Sequence, residues 1–211
     1  MSIPERRFIA THERGVSLVE LIVTIVVIGV SVAGILFVLN STLRGSADPL
    51  VEKQALAIAE AFLEEVQLMP STYCDPDDPL AATAVDASGC TGGTGGVYKE
   101  NIGPETTAGP GSQEKRGSTT FPFDNVNDYS GYDSNSEVPP GVKDITGAAL
   151  SGLSGYRVQI AVAEQGIPAV GTIPAVPAAD SLLITVTVTG PGHTSVSLHG
   201  YRTRYAPNAL P

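Results

Sequence analysis

Tryptophan is absent from this sequence, histidine occurs only three times, and lysine and arginine supply 12 residues against 22 acidic ones. The shortage of basic residues excludes the clustered positive surface of a nucleic-acid binder, and no nucleic-acid partner is expected. His12, His193 and His199 accompany no nucleophile elbow or comparable motif, so an enzyme is not expected. The GGTGG stretch at 92–96 lacks the Lys-Ser or Lys-Thr of a phosphate loop and reads as flexible loop. No cofactor is implied. The one enzymatic alternative, a membrane-anchored enzyme, needs a site built by convergence of distant residues.

Charge is missing over a longer stretch. From Leu21 to Leu43 there is no Asp, Glu, Lys or Arg, and the 23 residues are enough for a helix to cross a hydrocarbon core of roughly 30 Å. Ahead of this run lies a short polar leader, MSIPERRFIATHERG, with Arg6, Arg7 and Arg14. The apolar run is longer than that of a conventional secretory signal, and no A-x-A-like site follows it. Arginines before the span place the N-terminus in the cytoplasm, against the bias of Arg44, and the rest of the chain beyond it. Residues 1–15 carry three basic and two acidic groups, leaving nine basic and twenty acidic side chains and a net −11 for the exported part. That acidity reads as a solvated, soluble surface.

Cysteine is scarce but even in number. Cys74 and Cys90 are the only two, and an oxidising compartment would bridge them. Two free buried thiols fit poorly with their Gly, Ser, Asp and Thr neighbours, and zinc is disfavoured by the long spacing and the lack of a nearby histidine.

The segments between these features have distinct periods. In VEKQALAIAEAFLEEVQLMP (51–70), Ala55, Ala59, Phe62, Val66 and Met69 form a helical stripe, widened by Leu56 and Leu63. Glu52, Glu60, Glu64 and Glu65 lie mostly off it and are expected to face solvent. Pro49 either kinks one long helix or, with Asp48 as cap, begins a second. Residues 71–122 are dense in Gly, Ser and Thr and read as irregular. FPFDNVNDYSGYD (121–133) offers Asp124, Asn125, Asn127 and Asp128 as a calcium candidate without EF-hand spacing. The alternative is an Asx-rich turn anchored in the core by Phe121, Phe123, Tyr129 and Tyr132.

The last third alternates with period two at 156–163, 182–189 and 194–205, which predicts antiparallel strands with one buried face. Gly200 suggests a bulge, and GPGH (190–193) a hairpin turn. The link IPAVGTIPAVPA between the first two strands is apolar, and its prolines predict that it stays unpaired, packed at a sheet edge or in a partner's groove.

The residues GVSLVE (15–20), after a basic leader and before an apolar helix, resemble the class III signal of the type IV pilin superfamily. The resemblance implies cleavage between Gly15 and Val16 by a prepilin peptidase, N-methylation of Val16, and a role for Glu20 in pairing with a positive terminal amine during assembly. Val16 departs from the commoner phenylalanine or methionine. A carboxylate within an apolar helix is destabilising unless an opposite charge relieves it. The fold expected is α+β, a long N-terminal helix with a transmembrane first half packed on a C-terminal antiparallel β-sheet. Its parts are a cleaved leader (1–15), a membrane half of the helix (16–43), an amphipathic half (44–69), an irregular link with the cysteine pair (70–122) and a sheet-bearing head (123–211).

The resemblance implies a minor pilin that helps start assembly or caps the fibre. Its partners would be other major and minor pilins, the peptidase, the inner-membrane assembly platform and the membrane itself. It would reside in the inner membrane with a periplasmic head and later in an extracellular pilus. Two alternatives stay open at this point, a type II secretion pseudopilin and a pilus-displayed adhesin.

Overall fold

Leu18–Leu68 forms a single helix, α1, with Pro49 inside it. The computed structural model describes residues 15–106 and 113–204, with side chains throughout except at 41–48. Most of the expected leader, residues 1–14, therefore lies outside the described residues. By internal contacts the chain divides into two units, Met1–Ala47 and Asp48–Pro211. In the first, Leu18–Asn40 is long and apolar enough to cross a membrane, and none of its central window is buried by the protein.

The second unit has its own core. Three strands, β1 (Arg157–Glu164), β2 (Ser181–Thr189) and β3 (Ser195–Thr203), form an antiparallel sheet in the order β1-β2-β3. Alternation along β1 and β2 turns Val158, Ile160, Val162, Leu182, Ile184, Val186 and Val188 to one face, where all are buried. Against that face pack Ala55, Ile58, Ala59, Phe62 and Val66 of α1, with Val126, Tyr129 and Tyr132 from the loop before β1. The chain is thus an α+β protein in which a long N-terminal helix packs on a C-terminal antiparallel sheet.

Four expectations are corrected here. The helical stripe is widened by Ile58, buried in the core, whereas Leu56 is exposed. Phe121 is only half-buried and stands outside the core that holds Tyr129 and Tyr132. Gly200 makes no bulge: β3 pairs residue for residue with β2, Gly200 opposite Ile184. The glycine is there because the helix comes close, and a Cβ at this position would lie 2.4 Å from Gln67 Nε2 and 3.0 Å from Leu63 Cδ1. The proline-rich link does pair, with itself: Ile167 and Val176 exchange backbone hydrogen bonds, as do Val170 and Ile173. Pro168 and Pro174 occupy positions between these rungs and Pro177 follows the outer one, while Val170 and Ile173 remain exposed.

The free edge of β1 is covered by residues 131–134. Gly131 N–H donates to Ile160 O, Ile160 N–H to Tyr132 O and Ser134 N–H to Val158 O. This short annex places the preceding Asx-rich turn beside the sheet, and it carries a second group of functional candidates.

Candidate functional site

Two regions hold the residues singled out from the sequence. The first is the start of α1. Gly15 has no neighbour within contact distance of where a Cβ would stand, and Val16 is 70% exposed. Glu20 lies in the first helical turn, where the amide ends of the helix favour a negative charge. Its backbone carbonyl accepts a hydrogen bond from Thr24 Oγ1. Beyond it the side chains of Leu21, Ile22, Val23, Ile25, Val26, Val27 and Ile28 are all exposed. A run of this kind in water would lose several kcal/mol of burial free energy for every few residues, so it requires lipid or protein around it.

The second region is the loop system between α1 and β1. Cys74 and Cys90 are joined by a disulfide with Cα atoms 5.5 Å apart. Around it Ala81 and Ala84 make a small satellite core. Asp78 braces the same loop, its carboxylate accepting hydrogen bonds from Thr91 Oγ1 at 2.6 Å and Thr91 N–H at 2.7 Å. Cys74 also pairs with Lys99 as an isolated antiparallel rung, with Asp75 N–H donating to Tyr98 O and Glu100 N–H to Tyr73 O. A second rung, Thr106 with Gln113, sets Glu105 beside Glu114.

These rungs and the turn Asn127–Tyr129 gather acidic side chains that the sequence scatters over more than fifty positions. Ligand oxygens of Asp75, Glu114 and Asp124 lie within 4.8 Å of one another, and so do those of Glu100, Glu105 and Asp128. All but Asp124 are buried. The two triads act on each other electrostatically. Burial is the largest cause that raises every one of these carboxyls, and neighbouring carboxylates raise all but Asp128 further, whose carboxyl is instead held down by hydrogen bonds with Glu105 and Glu114. Asp75 is pushed up to about 6, Asp124 to about 7, Glu105 to about 8 and Glu114 to about 9. Glu100 and Asp128 are raised as well. The reading of the acidity as wholly solvated is therefore corrected, because a substantial part of it converges inside the head.

Of the four residues proposed as calcium candidates, the structure uses two differently from the others. Asp124 and Asp128 enter the two triads, one in each. Asn125 instead ties the loop together, donating from Nδ2 to Thr72 Oγ1 at 2.7 Å while its Oδ1 accepts the Val126 N–H. Asn127 donates from Nδ2 to Asn101 O, and its Oδ1 is buried without a hydrogen-bond partner. Asp75, Glu100, Glu105 and Glu114 were not singled out from the sequence. Asp75 lies in CDPDDP and Glu100 in VYKEN, Glu105 and Glu114 lie in loops rich in Gly, Ser and Thr, and the two rungs bring these distant stretches together.

Glu65 is also corrected. It does not face solvent but receives both Arg116 Nε and Nη2 at 2.6 Å and the hydroxyl of Tyr129 at 2.8 Å. Arg116 lies over the Phe62 ring at 4.6 Å and donates from Nη1 to the carbonyls of Lys143 and Asp144. The Glu65–Arg116 pair thus locks the acidic loops onto α1.

Comparison with known proteins adds one finding. Residues 11–36 match the family described as the prokaryotic N-terminal methylation motif, which spans Gly15, Val16 and Glu20. No curated protein matches the chain, and no solved structure does. The chain therefore combines a type-IV-pilin-like fold with a prokaryotic N-terminal methylation motif at the head of a helix apolar enough to span a membrane.

Proposed function

We propose that this protein is a minor type IV pilin, a structural subunit that enters a pilus by packing its apolar helix among those of other pilins. The observation that carries the reading is the methylation motif at the start of a membrane-length apolar helix whose side chains are exposed among the described residues. In this reading the chain is inserted once in the inner membrane, cut between Gly15 and Val16, and methylated on the new amine of Val16. Glu20, one helical turn on, then offers the carboxylate that pairs with such an amine, in its own subunit or a staggered neighbour. The segments SADPLVEKQALAIAEAFLEEV and FDNVNDYSGY and the IPAV-rich link resemble the MSHA pilus biogenesis protein MshD, which supports a minor rather than a major subunit.

Mass spectrometry of the mature N-terminus, with immunoblotting of sheared pili, tests the proposal. The expected result is a chain beginning at N-methylated Val16 and present in the pilus fraction. A mature terminus elsewhere would overturn the cleavage assignment. Correct processing with absence from pili, and loss of secretion on deletion, would instead identify a secretion pseudopilin.

A further inference from the structure

Three carboxylates in the head share a pattern. Asp75 Oδ1 accepts the Asp77 N–H at 2.7 Å, Glu105 Oε1 accepts the Asn101 N–H at 2.6 Å, and Asp128 Oδ2 accepts the N–H groups of Asp124 and Asn125 at 2.9 and 2.7 Å. In each, backbone amides fix one oxygen and so aim the other. The aimed oxygens of Asp75 and Asp128, Oδ2 and Oδ1, are fully buried and have no hydrogen-bond partner; nor has Oε1 of Glu100, whose side chain is more than nine-tenths buried. Buried polar atoms left unpaired cost free energy, and anions more than neutral groups. Asp75 belongs to one triad of carboxylates and Glu100 and Asp128 to the other, and the charges that raise Asp75 and Glu100 are those of further carboxylates.

We propose that the head binds calcium in two adjoining positions, one among Asp75, Glu114 and Asp124 and the other among Glu100, Glu105 and Asp128. The donor set is all oxygen, which selects a hard cation. Zinc favours nitrogen and sulfur, and the nearby sulfurs of Cys74 and Cys90 are bonded to each other. Magnesium demands near-octahedral geometry and keeps much of its water, whereas calcium accepts six to eight oxygens in irregular arrangements. Irregular loops supply the ligands here, from several separate stretches of chain, and the six carboxylates balance more than one divalent charge. The inference does not depend on the pilin reading, since it rests on the head alone.

The test is calorimetric titration of the full-length chain, purified in detergent and stripped with a chelator, using calcium chloride and magnesium chloride as probes. Two calcium ions per molecule are expected, with submillimolar affinity, binding about tenfold or more tighter than magnesium, and with a rise in Tm on calcium addition. Glu100→Gln and Asp128→Asn should each weaken calcium binding about tenfold or more. Without calcium, both variants should melt no lower than the parent, because each removes a like charge; this separates loss of a ligand from loss of the fold. Absence of heat and of any Tm shift at about 1 mM calcium would overturn the proposal. Calcium binding by the variants equal to that of the parent would overturn it too, and a single ion per molecule would overturn the two-position arrangement.

Discussion

Glu20 and Glu65 are both carboxylates on α1, yet their surroundings give them opposite tasks. Glu20 stands in the first turn among exposed apolar side chains, and among the described residues no ion pair involves it. Under the proposed assembly, Glu20→Ala should still be inserted and cut but be missing from sheared pili; normal incorporation on an immunoblot would remove that role from the residue. Glu65 is used internally. Its side chain is 16% exposed and that of Arg116 3%, so removing one partner strands the other in the interior. Arg116→Met also frees the carbonyls of Lys143 and Asp144, and should lower the stability of the head by about 3 kcal/mol in denaturant unfolding. A change below about 0.5 kcal/mol would mean that water enters and replaces the guanidinium. Glu20 was legible in the sequence because it interrupts an apolar run. Glu65 was not, because a carboxylate flanking a helical stripe looks the same whether it meets water or an arginine 51 positions away.

Among the elements, the helix and strands were legible because their periods are local. Val158, Ile160 and Val162 in β1 and Leu182, Ile184, Val186 and Val188 in β2 alternate as a half-buried sheet requires, and all are buried. Gly200 misled because its cause is not in its own strand. Gln67 and Leu63 of α1 occupy the space a side chain would need. Gly200→Val should therefore destabilise the head by about 1–3 kcal/mol through overpacking, read as a fall in Tm, with Gly200→Ala milder since the flexible end of Gln67 can move aside. The disulfide belongs to the same scale. Its cysteines are 16 positions apart, and replacing both by alanine should cost about 3 kcal/mol in the same unfolding measurement. No loss of stability would show that the hydrogen bonds of Asp78 with Thr91 hold the loop closed without it.

The whole molecule carries a pH dependence that no single element shows. Asp75, Asp124, Glu105 and Glu114 are raised to about 6, 7, 8 and 9, and Glu100 and Asp128 are raised too, all by burial first. Unfolded carboxyls release their protons near pH 4. Between about pH 4 and 9 the folded chain thus holds more protons than the unfolded one, and stability falls as pH rises through that window. In chelator, the head should melt at a higher temperature at pH 5 than at pH 8, and a Tm unchanged or rising across that range would contradict it. Calcium should lessen or reverse the trend. The acidic cluster was only half legible, through Asp124 and Asp128. Its other members lie in stretches with no period, and their meeting depends on two isolated backbone rungs and a covalent link.

That covalent link has a consequence for the order of events in the life of the chain. Cys74 adjoins Asp75, and Lys99 opposite it adjoins Glu100, so the cysteine that closes the loop lies on the rung that carries one member of each triad. Oxidation then acts as preorganisation: entropy surrendered once, when the bond forms, need not be surrendered again when an ion arrives. A reduced head would have to order the same segment on binding, and its hold on the ion would weaken accordingly. Under the calcium proposal, thiol oxidation before ion capture is the order that gives the tighter site.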